Sequence, residues 1–179
     1  MIRTTFISLA MLTLACAEGA ASSGASADFQ PTGGIVVASG NGARFNPTHV
    51  FGPKVNLHQR SDGTWGGTIQ AGAPTPTPID ATFQGGQFVG ANIRLTITRE
   101  NGQTNVVGSI LDRIVRFEVN ATEIRVFTSS RVGQGRSETY VKLDAPGEYG
   151  GPQSMKLEGE AQQAPPTPAF ALAMVGAFI

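Results

Sequence analysis

Apolar residues fall on every second position through much of this chain, and that period leaves little choice of fold. In the run 87–98, Val89, Ala91, Ile93, Leu95 and Ile97 share one face, while Gly90, Asn92, Arg94, Thr96 and Thr98 share the other. Successive side chains of a strand point to opposite faces, so such a run buries one face and wets the other. Asn101-Gly102 follows at once, and β-type sequence resumes over 104–111. Asn-Gly readily takes the positive φ that tight hairpin turns need, so the two runs are predicted to pair. The segment 113–119 opposes Val115, Phe117 and Val119 to Ile114, Arg116 and Glu118 in the same way. Further strands are predicted over 35–38, 50–58, 64–70, 79–83, 123–128, 137–143 and 155–161, with turns at Asn41-Gly42, Asp62-Gly63 and 132–135.

With 23 Gly and 11 Pro, the chain is cut into short elements. Two proline-rich stretches, 73–78 and 164–168, read as extended connections, because proline cannot donate to a central ladder. The final run, 169–179, is apolar at both parities and is expected to be a strand buried on both faces. No segment reads as an amphipathic helix. Short connections favour antiparallel neighbours, so the expectation is an all-β protein of about ten strands: a single antiparallel meander forming a barrel or a two-sheet sandwich.

The chain opens differently. Arg3 precedes an apolar stretch over 6–15, and small residues follow over 16–27. That stretch, at about 10 residues, is half the roughly 20 needed to span a bilayer, so it reads as an export signal. The residues Leu12-Thr13-Leu14-Ala15-Cys16 resemble a bacterial lipobox, with Thr13 and Leu14 in the reverse of the usual order. The resemblance implies that Cys16 becomes the lipid-bearing first residue of the mature protein. Ala15-Cys16-Ala17 and Ala25-Ser26-Ala27 offer ordinary cleavage sites, and with them plain secretion, as the alternative. Cys16 is the single cysteine, so no internal disulfide can form, and lipidation would leave the mature domain thiol-free. The expected organisation is a signal peptide over 1–15, a flexible tether over 16–33 and a β domain over 34–179. The expected location is the outer membrane, cell surface or periplasm, with the lipid anchoring the protein to a membrane.

Charge and chemistry narrow the function. Lys plus Arg number 13, as do Asp plus Glu, and the basic residues are dispersed. No single-sign field exists to hold nucleic acid. His49 and His58 are the only histidines, and on one regular strand nine residues apart they would face opposite ways, so no metal site is assigned. The acidic pairs Asp112 with Glu118 and Glu158 with Glu160 read as solvated strand faces; with one Trp and two Tyr, aromatic platforms for a sugar are scarce. No G-x-S-x-G elbow or Walker lysine occurs. Catalytic and cofactor-binding residues are therefore expected to be none.

Gly63-Thr64-Trp65 resembles the G-x-W signature of lipocalins, which implies a calyx carrying a small apolar ligand in a void lined by residues such as Phe88, Val89 and Phe117. An outer-membrane barrel is the other alternative, with apolar strand faces turned to lipid. The leading expectation is a non-catalytic envelope protein, a binding or structural module whose partner is a protein or a small apolar ligand.

Overall fold

The computed structural model describes residues 29–72, 74–120, 122–130, 136–145, 148–150 and 155–179. Cys16, both expected cleavage sites and the turn expected over 132–135 lie outside them.

Fourteen strands are found among the described residues. They are β1 (Gly33–Val37), β2 (Gly42–Asn46), β3 (His49–Gly52), β4 (Val55–Gln59), β5 (Trp65–Ile69), β6 (Thr77–Gln84) and β7 (Gln87–Gly90). Then come β8 (Ile93–Glu100), β9 (Gln103–Ile110), β10 (Arg113–Val119), β11 (Glu123–Ser130), β12 (Arg136–Ala145), β13 (Glu148–Gly150) and β14 (Met155–Gly159). Each pairs antiparallel with its sequence neighbours, and β1 bonds both β2 and β14. The meander thus closes into a barrel, as one of the two expected forms of the all-β fold.

The strand count exceeds expectation because two runs contain turns and because β2 and β13 form where no strand is expected. The run 50–58 is two strands joined at Pro53-Lys54, and the run 87–98 breaks between Gly90 and Ile93. The second turn reverses the parity upstream of it. Phe88, with Ile93, Leu95 and Ile97, faces inward, whereas Val89 is exposed and not part of any interior lining.

The larger correction concerns the end of the chain. After β14 comes a 3-10 turn (Glu160–Gln163), and 169–179 is not a strand but most of an 11-residue helix, α1 (Pro168–Phe178). Its start is chemically marked: the Thr167 hydroxyl accepts from the Phe170 N–H at 3.3 Å, and Pro168 occupies the first turn. Alanine, leucine and methionine then favour the helix intrinsically. Every residue from Ala169 to Ala177 is buried, so the helix has no wet face.

That helix fills the barrel. Phe170 packs edge-on against Phe45 of β2 with ring centroids 6.1 Å apart, and Phe178 meets Phe117 of β10 at 6.1 Å. β2 and β10 lie on distant parts of the ring, so one helix reaching both walls crosses the interior. Gly176 sits against Val55, where a Cβ would collide with the branched side chain. The Lys54 ammonium reaches the Ile179 carbonyl at 3.3 Å, placing a cation where the helix ends.

The connection into the helix is pinned at the rim. Thr104, the one fully buried polar side chain among the described residues, donates to the Ala164 carbonyl. Arg99 donates to the same oxygen at 3.2 Å and to that of Gln163 at 3.3 Å. Ala164 itself adopts φ 44°, the left-handed bend that turns the chain inward.

Candidate functional site: the outer wall of β1 to β5

With the interior occupied, accessible chemistry lies on the outside. The outward residues of β2 to β6 form two rows set by strand register. One runs Arg44, Phe51, Asn56, Thr68, Pro78; the next runs Asn46, His49, His58, Gly66, Asp80.

His49 and His58 are therefore direct cross-strand partners on the β3–β4 hairpin, not residues of one strand facing opposite ways. Their rings stack with centroids 6.1 Å apart and 26° between planes, and both residues are exposed. The Gly52-Pro53 dipeptide was the available signal, since both residues punctuate strands. Beyond His58, Gly66 leaves a gap in its row. The Arg60 guanidinium lies across that gap and reaches Asp80 at 3.0 Å. This hydrogen bond and the Asp80 charge raise the Arg60 pKa. Asp62 is held below the usual carboxylate range, first by the Thr64 hydroxyl and then by the Thr64 N–H.

A second feature adjoins the histidines. Phe29 packs edge-on against His49 at 6.3 Å and tilts against Phe51 at 6.3 Å. These rings border an open groove of about 470 Å³ across β1–β3, lined by Phe29, Pro31, Val36, Arg44, Phe51 and Pro53 among others. Val36 is 42 % exposed, and Arg44 makes no ion pair among the described residues. The groove thus offers apolar and aromatic surface with one cationic donor. A smaller depression of about 340 Å³ lies over Val107, Ile114, Arg116 and Phe127 on β9–β11, where Arg116 is paired with Glu118.

The acidic pairs do not form sites. Glu118 is spent on Arg116, and Asp112 lies in the turn before β10. Glu158 faces Lys156 at 3.9 Å, whereas Glu160, beyond the strand end, accepts from the Thr32 hydroxyl at 2.9 Å. Among the described residues no group of three or more His, Cys, Asp or Glu side chains is placed to hold a metal. Trp65 begins β5 after the Asp62-Gly63 turn, is 1 % exposed and meets Phe88 edge-on at 6.2 Å. Its indole N–H has no hydrogen-bond partner among the described residues.

No protein-family model matches the chain, and neither does any curated protein or solved structure.

Proposed function

We propose that this chain is an exported, lipid-anchored and non-catalytic interaction module of the cell envelope, which meets its partner through the groove on the outer wall of β1–β3. The observation that carries the reading is the filled interior: with α1 packed from Phe45 to Phe117, recognition falls to the outer surface. The groove joins exposed apolar area to a cation without an ion pair, a combination typical of interface anchors.

The filled interior weighs against the carrier reading. Phe88 and Phe117 are fully buried among neighbours, and Val89 points outward, so a ligand void would require α1 to leave. The barrel's polarity weighs against the membrane-spanning reading. Outward positions carry Arg44, Asn56, His58, Arg94, Thr96, Thr98 and Arg116, where a lipid-facing wall needs an apolar band.

Two measurements test the proposal. Intact mass of the mature protein, expressed with its own signal and purified from membranes, should show a diacylglyceryl-type increment on Cys16. An unmodified polypeptide beginning at Glu18 or Asp28 would refute the anchor. A photo-crosslinking residue at Val36 should give adducts that R44A/F51A abolishes, while one at Val107 should not. Equal adducts from both positions would remove the groove from the argument.

A further inference from the structure

We propose that His49 and His58 form a two-imidazole chelate for a divalent transition-metal ion of the copper, nickel or zinc class. Imidazole nitrogen suits these ions, and an antiparallel hairpin is a rigid frame for holding two of them side by side. Register supplies the first requirement: the two residues are direct partners, both outward, on strands joined by a two-residue turn.

The hydrogen bonds around His49 supply the second, by giving one ring nitrogen an oxygen partner and leaving the other for an ion. The Asn46 Oδ1 accepts from the backbone N–H groups of Thr48 at 3.1 Å and His49 at 2.8 Å, so that atom is an acceptor oxygen. The Thr48 hydroxyl lies 3.3 Å from the same Oδ1 and can donate its single proton there. In that arrangement it accepts from the His49 Nδ1, 2.9 Å away, with the ring proton on Nδ1. A metal ion would select that tautomer, in which Nε2 carries the lone pair. A ligating histidine is normally oriented in this way, donating its other ring N–H to a nearby oxygen. Phe29, edge-on against the ring, limits its rotation further.

Distance and charge are both compatible with an ion. Two metal–nitrogen bonds of about 2.0–2.1 Å at adjacent positions put imidazole centroids roughly 4.5–5 Å apart. From 6.1 Å, the exposed rings need to close by about 1.1–1.6 Å through side-chain rotation. The cation beside the pair, Arg60, is held by Asp80 and feels Asp62, so two carboxylates offset one guanidinium. Water would complete the coordination, which makes the site open and exchangeable.

The test is calorimetric titration of the tag-free mature chain with copper(II), nickel(II) and zinc chlorides at neutral pH, with histidine ring signals followed by NMR. The expected result is one ion per chain, bound tightest for copper, perturbing both histidine rings. H49A and H58A should each weaken binding about tenfold or more, and T48V should weaken it less while shifting the His49 tautomer signature. Both histidines are exposed, so thermal melting should confirm that these variants are folded. Absence of binding overturns the proposal. So does binding that survives in the H49A/H58A double variant, because the ion would then sit elsewhere.

Discussion

Thr104 shows how much one hydroxyl can decide. It is wholly buried, and its acceptor is a carbonyl at the bend that leads the chain into the barrel. T104V keeps the shape but leaves the Ala164 oxygen with Arg99 alone, and should cost about 1–3 kcal/mol in chemical denaturation. Asp62 makes a different case, because it is exposed and acts through its charge. Its folded pKa lies below the unfolded value, so its contribution is complete above the ordinary carboxylate range and fades as pH falls through the lowered value. The protection of the Thr64 amide against exchange, relative to its intrinsic rate, should therefore fall in strong acid, and D62A should remove that change in protection. A dependence that persists in D62A would assign it to another group. Of these roles, the sequence discloses only the Asp-Gly turn. The partner of Thr104 lies sixty residues away, a distance no local pattern can express.

Among the elements, the long alternating runs declare themselves. β10 spans the residues that the alternation over 113–119 marks out, since Val115, Phe117 and Val119 meet the interior while Ile114 and Arg116 between them are exposed. Short strands are harder to read, because a two-residue turn such as Pro53-Lys54 keeps an apolar residue at nearly every expected place. α1 is hidden for a related reason. A helix buried all round has no polar stripe, so it lacks a 3.6-residue period and reads like a strand buried on both faces. What separates the two is the start signal Thr167-Pro168, together with the length of the run. T167A should cost about 1 kcal/mol through loss of the cap. G176A should cost about 1–3 kcal/mol by overpacking against Val55, and G176A with V55A should recover part of that loss. Additive losses in the double variant would mean that the two side chains do not collide.

At the scale of the whole molecule, a barrel this large has an interior that side chains from its walls alone do not fill, and α1 is the remaining filler. A chain stopped after Gln163 should lose cooperative melting and bind a hydrophobic dye, because residues such as Phe45 and Phe117 would face an empty lumen. Retention of a sharp transition would show that the wall stands alone. The order of the parts also has a consequence in time. α1 follows all fourteen described strands along the chain, so the residues of the shell precede the piece the shell must enclose. Early closure would be self-defeating, since a finished wall could not admit an 11-residue helix. The last seams of the wall must therefore stay ajar until α1 is in place, so closing the ring and filling it form a single step.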